Sequence, residues 1–134
     1  MIRYDSTRSI SSAEFIDVLT RSTLSERRPV HDVGRIEKML AHANILITAW
    51  DEQKLVGVSR ALTDFSFCCY LSDLAVDADY QRQGIGKELI EQTHLIAGRD
   101  TTLILLAAPR AATYYPKIGM ERFTDCFLIP RKNS

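Results

Sequence analysis

The sequence predicts an α/β domain built on a mixed sheet, and three patterns carry that expectation. The elements run strand, two helices, three strands, helix, strand, helix, then terminal strand material. Residues 45–50 and 55–62 are apolar runs separated by the polar tetrad Asp51-Glu52-Gln53-Lys54, the pattern of a hairpin. Between about residues 68 and 107 a strand, a helix and a second strand follow one another, a crossover that sets its two strands parallel.

Each element has its own signature. Residues 2–4 suit a short edge strand. Ser11-x-x-Glu14 is a capping box, after which Phe15, Val18 and Leu19 fall on one helical face. Residues 24–31 are polar and contain Pro29, which makes them a loop. Asp32 caps a second helix, where Val33, Ile36, Leu40 and Ala43 recur three, four and three residues apart as a single apolar stripe. Residues 67–76 are largely apolar, as befits a strand inside the sheet. A loop at 77–83 leads into a helix from Gly84 to about Ala97, with Ile85, Leu89, Ile90 and Ile96 inward and Gly98 just past its end. Residues 103–107 make a short buried strand stopped by Pro109, and residues 111–118 a short helix ending at Gly119. Residues 123–129 supply one or two final strands.

The 134 residues fit a single domain, 1–134, without repeat, low-complexity tract or linker. With 46% hydrophobic and 25% charged residues, the chain can bury a core without disulfides or metal. Lys plus Arg and Asp plus Glu both number 17, so the basic excess of a nucleic-acid binder is missing. Cys68, Cys69 and Cys126 are odd in number and form no Cys-x-x-Cys pair, which indicates neither a disulfide framework nor a zinc knuckle. His31, His42 and His94 lack metal-ligand spacing. Asp5, Glu14 and Asp17 interrupt the first 20 residues, and no run approaches the roughly 20 apolar residues of a membrane span. The expectation is a reduced, cytoplasmic protein without nucleic-acid or membrane partners and without a metal.

The chemistry concentrates at Gly84-Ile85-Gly86-Lys87. Glycines at a strand-to-helix junction let a ligand approach the backbone closely. The first N–H groups of a helix lack internal partners and carry partial positive charge, which suits a phosphate. Arg82 and Lys87 add charge from the sides. Two common phosphate loops fit poorly. A Walker A loop needs glycine at position 81, which is Gln81, and Ser or Thr after the lysine, where Glu88 stands. A dinucleotide fingerprint needs a third small residue where Leu89 sits, on the first strand-helix unit of its sheet.

The flanking sequence is more specific. Leu74-Ala75-Val76-Asp77-Ala78-Asp79-Tyr80-Gln81-Arg82-Gln83-Gly84-Ile85-Gly86-Lys87-Glu88-Leu89-Ile90 resembles the acetyl-CoA-binding motif of the GNAT acyltransferase superfamily. Ala111-Ala112-Thr113-Tyr114-Tyr115-Pro116-Lys117-Ile118-Gly119-Met120 resembles the Ala-x-x-x-Phe-Tyr-x-Lys-x-Gly-Phe segment of the same family. Met120 replaces the usual Phe, Pro116 shortens the helix, and Ala107-Ala108-Pro109 lacks an Asn often found there. Residues 1–65 match in layout only. The resemblance implies a mostly antiparallel sheet with a parallel, splayed strand pair at its centre and about four flanking helices. It further implies an N-acetyltransferase using acetyl-CoA, by direct attack of an amine in a ternary complex, and a possible homodimer. A silent acyl-CoA-binding module is the alternative.

Carried over residue by residue, Gln81, Arg82, Gln83, Gly84, Ile85 and Gly86 would offer N–H groups to the pyrophosphate, with Lys87 assisting. Leu74 and Val76 would hydrogen-bond the pantetheine arm through their backbones, as if the cofactor were an added strand. The N–H of Leu74 or Ala75 would polarise the thioester carbonyl. Tyr115 occupies the position of the family's general acid, with Tyr114 left to pack the short helix on the sheet. A phenol of pKa about 10 is protonated at neutral pH and can donate to the departing thiolate. For the base, Asp73 is the only carboxylate in residues 65–76, and a buried carboxylate on a strand serves equally as a hydrogen-bond hub. Strand alternation points it away from Ser72 and Leu74 unless a bulge intervenes. The acceptor segments would be residues 24–32 and 124–131, where Arg27 and Arg28 hint at an acceptor bearing a carboxylate or phosphate.

Overall fold

The computed structural model describes residues 1–132. Strands β1 (Ile2–Asp5), β2 (Ile45–Asp51), β3 (Lys54–Thr63), β4 (Cys68–Val76) and β5 (Thr102–Ile104) form one five-stranded sheet in sequence order. Successive pairs from β1 to β4 are antiparallel, whereas β4 and β5 run parallel. Helices α1 (Ser12–Arg21) and α2 (Val33–His42) lie between β1 and β2; α3 (Ile85–Ala97) makes the crossover from β4 to β5. A short α4 (Tyr114–Lys117) follows. The mixed, mostly antiparallel sheet with about four helices is therefore the architecture of this chain. Among the described residues no helix is long and apolar enough to cross a membrane.

The expected caps form. The Ser11 hydroxyl accepts the Glu14 N–H at 3.1 Å, and the Glu14 carboxylate accepts the Ser11 N–H at 2.9 Å. The Asp32 carboxylate accepts the Arg35 N–H at 3.1 Å. The sheet then separates two cores. On one face Ile47, Ala49 and Leu71 meet Ile85 and Leu89 of α3; on the other Trp50, Val58 and Ala75 meet Phe15, Leu19 and Ile36 of α1 and α2. Gly57 sets how close α3 can come. A Cβ there would lie 3.2 Å from both Ile85 Cγ2 and Leu89 Cδ1, too near for either to keep its place.

A bulge in β4 decides which side chains face which core. Arg60 pairs with Asp73 but Ala61 pairs with Leu71, so Ser72 is the extra residue. Before it, Cys69 and Leu71 face α3; beyond it, Leu74 and Val76 do, and Ala75 turns to the α1–α2 face. Asp73 shares that second face, opposite Arg60.

Several details differ from the periodicity. Val33 is 49% exposed, because α2 leans on α1 more than on the sheet; Ile36 and Leu40 of the stripe pack in the core, where Met39 joins them. Ile96 is exposed, with Thr93 and Ala97 taking the inward positions of the last turns of α3. The ladder between β4 and β5 stops at Tyr70↔Ile104, so residues 105–107 pair with no strand among the described residues and β5 is shorter than its apolar run. Residues 123–129 form no strand. The parallel pair accordingly stands at the end of the sheet, with β5 as the outer strand, rather than at its centre.

Candidate functional site

Parallel pairing joins Cys68↔Thr102, Cys69↔Leu103 and Tyr70↔Ile104 and then ends. From residue 71 onward the β4 edge facing β5 is unpaired, and the strands splay. A cleft of about 970 Å³ opens in the gap, at the upper end for small-molecule sites. Its walls include Leu74, Ala75, Val76, Gln81, Arg82, Gly84, Ile85, Gly86, Lys87 and Tyr115, so nearly every residue singled out from the sequence converges here. Gln83 lies in the same loop but is not part of the wall, and Asp73 is not part of it either.

The phosphate-type loop is built rigidly from both sides. The Asp77 side chain accepts the Asp79 N–H at 2.8 Å, starting a one-turn 3-10 helix (Ala78–Tyr80). Burial pushes the Asp77 pKa up, but that N–H and the ion pair with Arg21 outweigh it and hold the carboxyl below its usual range. The Tyr80 hydroxyl donates to Asp51 Oδ2 at 2.5 Å, tying the same turn to the β2–β3 hairpin. The Gln81 amide reaches back to the Val76 carbonyl at 3.5 Å. Gly84 then adopts φ 79° as the N-cap of α3, a left-handed conformation that favours glycine, and no atom stands within 4 Å of its missing Cβ. Gly86 is closed in differently: a Cβ there would lie 3.0 Å from the Tyr114 hydroxyl oxygen. The arrangement fits a pyrophosphate, with free helix N–H groups, a bare backbone and the cations Arg82 and Lys87 around one opening.

The two adjacent tyrosines have different surroundings from those expected. Tyr115 packs against the α3-side core, the task assigned above to Tyr114, while still lining the cleft. Burial, with a smaller push from Tyr114, raises the Tyr115 pKa above 10.0. Tyr114 stands edge-to-face against it at 5.3 Å and sends its own hydroxyl toward the Lys87 N–H at the start of α3. Burial raises the Tyr114 pKa, and that N–H offsets part of the rise. Sequence alone could not separate the two phenols, since both fall in one turn.

Asp73 is completely buried between two guanidinium groups. Arg28 Nε binds one carboxylate oxygen and Arg60 Nε the other. Arg28 also donates to the Ser72 carbonyl at 2.7 Å, and Arg60 to the Ser72 hydroxyl at 3.0 Å and the Met39 carbonyl at 3.1 Å. The network pins the α1–α2 connection to the bulge in β4. It also engages Arg28 fully, which leaves Arg27 as the exposed arginine of that connection. The sequence reading passed over Glu26, on the 3-10 turn Leu24–Arg27, which is the only carboxylate among the described residues lining the cleft. A signal was present, an acidic residue in the segment that packs over β4, but nothing in its spacing aimed it at the site.

Residues 42–122 match the family model described as an acetyltransferase (GNAT) domain. The GCN5-related N-acetyltransferase 2, chloroplastic, of Arabidopsis thaliana is 36% identical over 72 residues, 52% of this chain and 28% of that protein. The histone acetyltransferase TAP1 of Glycine max is 34% identical over 73 residues, 53% of this chain and 32% of that protein. The chain thus matches about three tenths of the length of these curated relatives. Among solved structures, a probable acetyltransferase from meticillin-resistant Staphylococcus aureus superposes with a TM-score of 0.80 at 20% identity, covering 98% of this chain and 99% of that one. A GNAT family protein from Streptococcus pneumoniae gives 0.73 at 21% identity over 99% and 98% of the two chains. At such identities the likeness is one of fold.

Proposed function

The chain belongs to the GNAT acetyltransferase family, and from that premise we propose that it transfers an acetyl group from acetyl-CoA to an amine by direct attack in a ternary complex. One observation carries the reading: the N-terminus of α3, the free edge of β4 and the Tyr115 side chain all open onto a single cleft. Bound acetyl-CoA would supply a thioester carbonyl for attack and a thiolate as leaving group.

The chain's own groups divide the work. The N–H groups from Gln81 to Gly86, with the Arg82 and Lys87 side chains, hold the pyrophosphate. Leu74 and Val76 align the pantetheine arm through their backbones, and the Leu74 or Ala75 N–H polarises the carbonyl. Tyr115 protonates the thiolate; its raised pKa keeps it loaded with a proton at neutral pH. Asp73, held by Arg28 and Arg60, positions the acceptor segment over β4 instead of taking the proton. Glu26 is the carboxylate on the acceptor side of the cleft and receives the proton that the acceptor's ammonium must lose before the neutral amine attacks. The three cysteines are free thiols, which suits a reducing compartment such as the cytoplasm.

A thiol-release assay with acetyl-CoA against a panel of small amines and peptides tests the reaction. Release of CoA in step with acetylated product is expected, whereas binding of CoA without release for any acceptor would mean a silent binding module. Glu26→Gln is expected to lower kcat at least about 10²-fold with CoA affinity retained; an unchanged kcat would leave deprotonation to water. Gly84→Val tests the loop. A β-branched residue at φ 79° costs at least about 1–2 kcal/mol and projects into the space left for the ligand. Loss of detectable CoA binding by calorimetry is the expected result, and wild-type affinity would remove the loop from the site.

A further inference from the structure

Arg21 is the last residue of α1, and three elements meet at its side chain. The guanidinium pairs with the Asp77 carboxylate, donates to the Leu55 carbonyl of β3 at 2.7 Å and reaches Asp17, one turn back, at 2.9 Å. The Asp77 side chain is only 4% exposed, whereas that of Asp17 is 66% exposed. Water therefore screens the pair with Asp77 far less than the pair with Asp17. Lys54 Nζ stands 3.9 Å from the same Asp77 oxygen, too far for a hydrogen bond, so Arg21 is the closer cation.

Asp77 is where the pyrophosphate loop begins. Its N–H donates to the Val56 carbonyl at 2.8 Å, its own carbonyl accepts the Tyr80 N–H at 2.8 Å, and its side chain caps the turn at Asp79. The loop beyond needs that support. Residues 81–83 make no backbone hydrogen bond among the described residues, which leaves their N–H groups free for a ligand but their shape unsecured. Arg82 holds φ 65°, a left-handed conformation uncommon for any residue with a side chain. Along the chain in the other direction, Ser22, Thr23, Leu24, Glu26 and Arg27 follow Arg21 directly and all line the cleft, although Arg21 itself does not. Arg28 then closes this stretch on Asp73. The acceptor segment is thus pinned to Asp77 at its start and to Asp73 at its end, with the cofactor-facing residues Leu74, Ala75 and Val76 between the two pins.

On the acetyl-CoA reading of the cleft, on which this inference rests, we propose that Arg21 is a positioning residue that couples the two halves of the site. Through Asp77 it holds the pyrophosphate loop in its binding shape, and from the same anchor it sets where the acceptor segment starts. Without the guanidinium the loop relaxes, and CoA must restore its shape on binding, which weakens affinity. The acceptor segment loses one of its two pins at the same time.

Calorimetric titration of the full chain with CoA, on protein whose folding is checked by circular dichroism, is the test. Arg21→Met and Asp77→Asn are each expected to raise the CoA dissociation constant at least about 5-fold. The double substitution should cost little more than either alone, because both remove one contact. Asp77→Asn keeps an oxygen for the Asp79 N–H, so it breaks the ion pair and spares the cap. Arg21→Lys retains the charge without the fork and should recover part of the affinity. Asp17→Asn, which breaks only the exposed pair, should bind CoA as wild type does. With an acceptor from the thiol-release screen, Arg21→Met should also raise KM for that acceptor while kcat at saturation is largely kept. Variants that melt earlier yet bind CoA with wild-type affinity overturn this inference alone, as do additive losses in the double substitution. Wild-type protein that binds no CoA overturns the proposed function with it.

Discussion

Tyr115→Phe is expected to lower kcat with acetyl-CoA by about 10²–10⁴-fold while leaving cofactor affinity nearly unchanged. The substitution removes one oxygen and keeps the ring that packs on the α3-side core beside Ile118 and Met120. Stability should therefore hold, and the loss should fall on the step that expels the thiolate. The pH dependence has a definite sign. The acid form is the active one, and burial and Tyr114 raise its pKa, so its activity fades only as pH rises beyond the ordinary 10.0. A basic limb between pH 7 and 9 in wild type that survives in Tyr115→Phe belongs to another group. Tyr114→Phe is the necessary companion, because its hydroxyl faces the Lys87 N–H and its ring touches Tyr115. A modest change in CoA affinity with kcat retained is expected for it. Were the large kcat loss to follow Tyr114→Phe, with Tyr115→Phe still active, the general acid would be Tyr114.

Asp73→Asn is expected to destabilise the fold by about 3–5 kcal/mol, because it leaves the Arg28 and Arg60 guanidinium groups facing a neutral amide in a buried site. The lower part of that range is the better guide, since the Arg28 side chain is 21% exposed and water can reach it. Urea unfolding measures the loss. Kinetics on the folded fraction separate anchoring from proton transfer. An anchor raises KM for the acceptor, through a loosened α1–α2 connection, and leaves kcat of the folded fraction largely in place. A collapse of kcat with stability unchanged would restore Asp73 as the base.

Much of the fold could be read in the sequence because the relevant forces act over short stretches of chain. The Ser11 and Asp32 caps, the hairpin around Asp51–Lys54 and the glycine-started α3 all depend on residues within a turn or two of one another. The cleft was legible for the same reason: residues 74–87 and 111–120 are continuous stretches, and the crossover brings them together. Partnership across the chain was not. Asp73 meets Arg60 and Arg28, 13 and 45 residues away, and no local pattern distinguishes a carboxylate awaiting two arginines from one awaiting a proton. The burial of Ile96 and Val33 failed similarly, since a helix's own period gives the direction of a side chain but not what stands opposite it.

The loop from Gln81 to Lys87 was thus legible in the sequence itself, as a left-handed glycine at the start of a helix with a cation on either side. Tertiary structure alone decided three other matters. The bulge at Ser72 turned Asp73 toward the arginines, the short helix gave Tyr115 the core and Tyr114 the α3 N-terminus, and residues 123–129 found no strand to join within their own chain. Each depends on which surface is left uncovered once the rest has packed, and that is a property of the assembled sheet, not of any segment within it.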